Sequence, residues 1–235
     1  MRGEHASISA EQASRFAKDV AGDFNPIHDP DSRRFCVPGD LIFAMVVAHY
    51  GISERMSFEF TGMLGDGATV TLPCEPGEEF SLTDRGGKRC IEVRRQGAIT
   101  HDPALIERFV RQYVAFSGRN FPHILVPLLA EQNVMINPDR PLVIYQSMAF
   151  DLSRLDFSDP DLELSGTALE VSGKRGNVQL DFAITEQAEA LGSGYKKLAV
   201  GGLIPYEQDV VDRLIGRFNS SVDAYRAQQT ELETP

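Results

Sequence analysis

The chain has 235 residues, 42% of them hydrophobic and 24% charged, enough to bury a core as one wide domain or two compact ones. Its 34 acidic against 23 basic side chains give a net charge of −11, which repels nucleic acid and anionic membrane, and no apolar run approaches the ~20 residues needed to cross a bilayer. The first segment, MRGEHASISAEQ, has no basic stretch followed by an apolar one, and three cysteines cannot all pair, so a cytoplasmic protein with no nucleic-acid or membrane partner is expected.

In chain order, Ala10, Ala13, Phe16, Ala17 and Val20 recur at helical spacing over 9–20, and Ser9 with Gln12 has the form of a capping box. Gly22-Asp23-Phe24-Asn25-Pro26-Ile27-His28 follows. Pro38-Gly39 then opens an apolar helix from Asp40 to Tyr50, read as fully buried and closed by Gly51. From Met56 to about Thr100, glycines and prolines separate short antiparallel strands, among them Phe58–Phe60, Glu79–Leu82 and Arg89–Val93.

A second cycle begins with a helix over 104–116 and an apolar helical stretch over 122–130, then strands over 142–152, 162–171, 178–185 and 195–200. Aligning Val37–Leu41 with Phe121–Leu125 makes the two apolar helices counterparts. Val210, Val211, Leu214, Ile215, Phe218, Val222 and Tyr225 give 207–229 an amphipathic face that packs on the body or on another subunit. The expected architecture is α+β, two antiparallel sheets each wrapped around a central apolar helix, with halves at 1–103 and 104–205 and a helical tail at 206–235.

Gly22-Asp23-x-Asn25-Pro26-Ile27-His28, entered by a helix and followed by Val37-Pro38-Gly39 opening an apolar helix, resembles the MaoC-like group of hot-dog proteins, the (R)-specific enoyl-CoA hydratases and dehydratases. The match covers about residues 9–50; beyond it the chain fits a double hot-dog through element order. The resemblance implies reversible hydration of an enoyl thioester, with coenzyme A as part of the substrate, no separate cofactor and no metal. It implies Asp23 and His28 as the catalytic pair and Gly39 as donor to the thioester oxygen. A monomer or a homodimer is compatible with such a chain. Two other readings stand beside it: a non-catalytic acyl-thioester binding or regulatory protein, and an acyl-CoA thioesterase.

The residues themselves suit that chemistry. Hydration of a conjugated thioester needs a group to take a proton from water, a group to return one to the α carbon, and donors for the enolate oxygen. Asn25-Pro26 forces a turn that lets Asp23 and His28 converge, with Asn25 holding the loop, and the orphan amides at the Pro38-Gly39 helix start favour negative charge. Asp40 directly after Gly39 is expected to compete with the enolate for that positive end, and the ten residues between His28 and Gly39 form a short cover over the acyl chain.

Elsewhere the signals are weaker. Arg33-Arg34 and Arg94-Arg95 double the positive charge at one spot each; they read as solvated arginines, with Arg33 and Arg34 near enough to the motif to touch substrate. Ser117-Gly118-Arg119-Asn120-Phe121-Pro122-His123 looks like a degenerate second copy of the motif, with Arg119 where the acid would stand and His123 at a helix start. Gly62-x-x-Gly65-x-Gly67 is a turn, Cys36, Cys74 and Cys90 lack metal-ligand spacing, and His49 sits comfortably at a helix C-terminus.

Overall fold

The computed structural model describes residues 3–118 and 120–233. Eleven strands and five α-helices are described: β1 (Gly3–Ile8), α1 (Ala10–Arg15), α2 (Gly39–Tyr50), β2 (Ile52–Phe60), β3 (Ala68–Pro73), β4 (Glu79–Asp84), β5 (Arg89–Thr100), α3 (Pro103–Gly118), α4 (Leu125–Glu131), β6 (Val134–Met135), β7 (Leu142–Leu152), β8 (Asp161–Ser172), β9 (Arg175–Glu186), β10 (Glu189–Gly201), β11 (Ile204–Pro205) and α5 (Gln208–Glu233). Among the described residues, no helix is long and apolar enough to cross a membrane.

Nine strands form one antiparallel sheet in the order β1-β3-β4-β5-β2-β7-β10-β9-β8, and β11 pairs with β6 in a separate ribbon. The two sheets expected from the sequence are joined into one, because β2 pairs with β7 from Arg55 opposite Asp151 to Glu59 opposite Ser147. The fold is α+β, a double hot-dog whose sheet curls around α2 and α3. Alternation along β9 is clear, with Val178, Leu180, Phe182 and Ile184 buried and their neighbours outward.

The two central helices meet through aromatic rings. Phe43 of α2 stacks on Tyr113 of α3 at 4.5 Å between centroids and meets Phe58 of β2 edge-on at 5.1 Å. Phe109 and Tyr113 contact Phe150 of β7 at 5.0 and 5.9 Å, and Tyr113 contacts Phe182 of β9 at 5.6 Å. Rings in such edge-to-face sets add to their area burial, so the cluster fastens both helices to β2, β7 and β9.

Several elements differ from expectation. β1, too polar to read as a strand, is held by backbone pairing to β3. The α2 helix is buried on one side only, with Ala48 and His49 exposed. The apolar stretch 122–130 yields only the seven-residue α4: its start is delayed by a turn in which Ile124 and Leu125 donate to the carbonyl of Asn120, and Asn133 soon leaves it with a φ of 54°. The second large buried helix is instead α3. Arg95 is no free charge, since its guanidinium donates to the carbonyls of Tyr50, Pro76 and Gly77, while Arg94 pairs with Glu79.

The helix over 9–20 is in two parts. The Ser9–Gln12 capping box is present in both directions, at 3.2 and 3.0 Å, and α1 then widens into a π-helical turn, Phe16–Ala21, that ends on left-handed Gly22 at a φ of 65°. Against this exit packs the last residue of α3: a Cβ on Gly118 would fall on the carbonyl oxygen of Ala21 and stand 2.7 Å from that of Gly22. Gly118→Ala is therefore expected to destabilise the protein by about 1–3 kcal/mol, read as a lowered urea midpoint at unchanged m.

Candidate active site

The left-handed Gly22 turns the chain out of the π-helical turn, and the N–H of Asp23 donates back to the carbonyl of Ala17 at 2.8 Å. Asp23 Oδ1 accepts the N–H of Asn25 at 2.9 Å, and Asn25 Oδ1 accepts that of Ile27 at 3.3 Å, so two Asx turns follow one another. Pro26 opens a single 3-10 turn, Pro26–His28, and Asn25 Nδ2 donates to the carbonyl of Val143 on β7 at 3.1 Å. The loop is thus hung on the sheet.

His28 emerges 8% exposed, with Nδ1 2.7 Å from the carbonyl oxygen of Cys36 and Nε2 3.6 Å from Asp23 Oδ2. A carbonyl only accepts, so Nδ1 carries a proton and Nε2 faces the carboxylate. Burial works against the imidazolium, but the Asp23 carboxylate, helped by the Cys36 carbonyl and by Asp40, outweighs it, and His28 is raised above its ordinary 6.5. At 3.6 Å the contact is a charge pair with room to tighten around a shared proton.

Asp23, Asn25, Pro26, His28 and Gly39 all line one cavity of about 600 Å³. Gly39 is the first residue of α2, behind Pro38, and among the described residues its N–H has no acceptor. A Cβ there would stand 3.1 Å from the ring of Phe60 and 3.4 Å from that of Tyr145, so only glycine keeps this approach open.

The expectation for Asp40 is corrected. Its side chain turns away from the cavity into the core, 1% exposed, where Oδ1 lies 3.4 Å from Nζ of Lys196. Lys196, wholly buried on β10, also donates to the carbonyl of Tyr113 at 2.7 Å and to Oγ of Ser117 at 2.6 Å, and lies 4.1 Å over the Tyr113 ring. Burial pushes Asp40 up and Lys196 down, each against the pull of its partner. With its carboxylate engaged there, Asp40 leaves the amide end of α2 to the cavity.

Arg33 and Arg34 are corrected too: both are exposed and neither lines the cavity, because the segment after Asp29 runs outward before Cys36 donates its N–H to the carbonyl of Ile27. His49 and His123 are exposed and outside it, and Arg119 lies outside the described residues. Cys36 lines the cavity, with burial pushing its thiol up, away from a reactive thiolate. The cover over the cavity comes instead from α5, whose Leu214, Arg217, Phe218 and Ser221 line it. Phe24 of the motif sits edge-on to Phe218 at 6.2 Å and Tyr225 at 5.7 Å, and the Tyr225 hydroxyl donates to Asp19 at 2.7 Å. Ser117, Asn120 and Tyr145 also line the cavity and had no sequence signal beyond the degenerate copy at 117–123.

Two measurements check this electrostatic picture. Because the folded pKa of His28 is raised, its contribution to stability is complete below pH 6.5 and is lost as pH climbs through the raised value. Asp23→Asn removes the largest contribution opposing burial and leaves only the Cys36 carbonyl and Asp40, so the His28 Cε1 proton should titrate above 6.5 by NMR in the native protein and at lower pH in the variant; an unmoved midpoint would show that Asp23 does not set this charge. Lys196→Met strands a buried carboxylate and should cost about 3–5 kcal/mol in urea unfolding, much of it recovered when Asp40→Leu is added.

Solved structures similar to this chain share its fold at low identity. The full-length peroxisomal multifunctional enzyme type 2 from Drosophila melanogaster aligns at 11% identity and a TM-score of 0.47, over 83% of this chain and 48% of that one, so the chain spans about half the length of that enzyme. A MaoC-like dehydratase aligns at 10% identity and a TM-score of 0.41 over 85% of this chain and 98% of that one. Acyl-CoA thioesterase II from Mycobacterium marinum aligns at 13% identity and a TM-score of 0.37 over 72% and 91%. No curated protein matches the sequence. Residues 1–209 match the family described as Protein of unknown function (DUF3581), and the chain belongs to that family.

Proposed function

We propose that the chain reversibly hydrates an enoyl thioester, with coenzyme A as the carrier in the substrate, in the manner of the (R)-specific enoyl-CoA hydratases. The observation that carries this is the placement of Asp23, His28 and Gly39 on one cavity, with the first two 3.6 Å apart. In the forward direction the Asp23–His28 pair takes a proton from water as its oxygen bonds to C3. The C2–C3 π electrons move toward the thioester oxygen, where the Gly39 N–H and the amide end of α2 meet the developing charge. The pair then returns the proton to C2. Dehydration is the reverse.

The same pair fixes a water without fixing which carbon it attacks, and this favours a second reading. Attack at the thioester carbonyl, with the Gly39 N–H on the tetrahedral oxyanion, releases a free acid and a thiol. Purified protein given crotonyl-type thioesters of several chain lengths should consume the enoyl absorbance without releasing thiol, whereas thiol release identifies a thioesterase. Asp23→Asn and His28→Ala should each lower the rate by about 10²–10⁴-fold. Binding of these thioesters with no turnover of either kind would defeat the enzyme reading and leave a binding or regulatory protein.

A further inference from the structure

The polar groups of the cavity are not confined to the Asp23–His28 side. Asn120, in the degenerate copy of the motif, lines the cavity while only 4% exposed, and its Oδ1 has no hydrogen-bond partner among the described residues. Its Nδ2 donates to the hydroxyl of Tyr145 at 3.2 Å, and Tyr145 lines the cavity as well, its ring beside Gly39. Turning the amide over exchanges these roles and leaves the NH₂ unpartnered instead, so either orientation leaves one amide group unsatisfied. A desolvated polar group without a partner is unfavourable, and native proteins rarely keep one without a reason.

We infer that Asn120 and Tyr145 form a second polar contact in the cavity, taking an uncharged hydrogen-bonding group, a hydroxyl above all, on the acyl part of the ligand. This rests on the reading of the cavity as an acyl-thioester site and narrows it to substrates more polar than a plain fatty acyl chain. Charge argues for an uncharged group. Lys196, whose Nζ lies 5.6 Å from the Tyr145 ring centroid, is wholly buried and engaged by Asp40, Ser117 and the Tyr113 carbonyl, so it offers no free charge to a carboxylate, and the cation Arg217 lines the cavity from α5 as an exposed side chain. Burial also pushes the Tyr145 hydroxyl well above its ordinary 10, so it stays a phenol able to donate. With its oxygen accepting from Asn120 and the Ser117 hydroxyl beside it, Tyr145 fixes the amide so that its unpartnered oxygen accepts a ligand hydroxyl. The placement of Tyr145 beside Gly39 puts the contact near the thioester end rather than at the far tip of the chain.

The test is calorimetric titration of the full chain with butyryl-, 3-hydroxybutyryl- and 4-hydroxybutyryl-coenzyme A, repeated with Tyr145→Phe and Asn120→Ala. The native protein should bind at least one hydroxylated thioester about tenfold tighter than the plain one, and both variants should bring that ratio toward one. Tyr145→Phe keeps the ring against Gly39, so a lost ratio at an unchanged melting temperature reports the contact itself, even where Asn120→Ala folds poorly. A native protein that binds the thioesters without preference, or a preference that persists in Tyr145→Phe, overturns this inference and leaves the thioester reading standing. A native protein that binds none of the three overturns both.

Discussion

A wholly buried ammonium must find all its partners inside the protein, and the way Lys196 finds them fixes the relative placement of β10, α2 and α3. It reaches the last turns of α3 at Tyr113 and Ser117 and the first turn of α2 at Asp40. The consequences reach the cavity from both ends. Holding Asp40 inward points the start of α2, and with it the Gly39 amide, outward to the ligand space. Holding Ser117 brings Gly118 against the backbone of Ala21 and Gly22, which is where the loop carrying Asp23 and His28 begins.

The sequence made some of this legible and some not, for physical reasons. The Ser9–Gln12 box and the Asn25-Pro26 turn are local: their partners lie within three residues, so spacing alone reports them. The apolar run Asp40–Tyr50 was readable as a helix, though not its exposed edge at Ala48 and His49. Lys196 was not readable, because a lysine in Tyr-Lys-Lys on a strand looks like a solvent-facing charge and its carboxylate partner is 156 positions away. The same holds for Asn120 and Tyr145, whose meeting in the cavity is tertiary. The π-helical turn was hidden because one widened turn does not disturb an apolar pattern enough to show.

The placement of the chemistry also depends on that long-range construction. The motif loop belongs to the strand array of β1–β5, yet Asn25 ties it to Val143 of β7, and the far wall of the cavity is built from Ser117, Asn120 and Tyr145. The stretch 117–123, read from the sequence as a degenerate copy, reaches the cavity through Ser117, Gly118, Asn120 and Phe121. The proposed chemistry on one side and the inferred ligand contact on the other would be a division that a single continuous sheet permits, since β2 and β7 hold the two sides in register.

In GDxNPxH, position 24 is one of two that the pattern leaves open, and in this fold it is not open. Phe24 stands between Phe218 and Tyr225 of α5, and Tyr225 in turn holds Asp19 at the π-helical turn. A side chain that the motif leaves unspecified is here the contact between the motif loop and the helix covering it. The weight of a change at 24 therefore depends on what stands at 218 and 225, because a smaller side chain at 24 leaves two rings of α5 without the partner they meet edge-on.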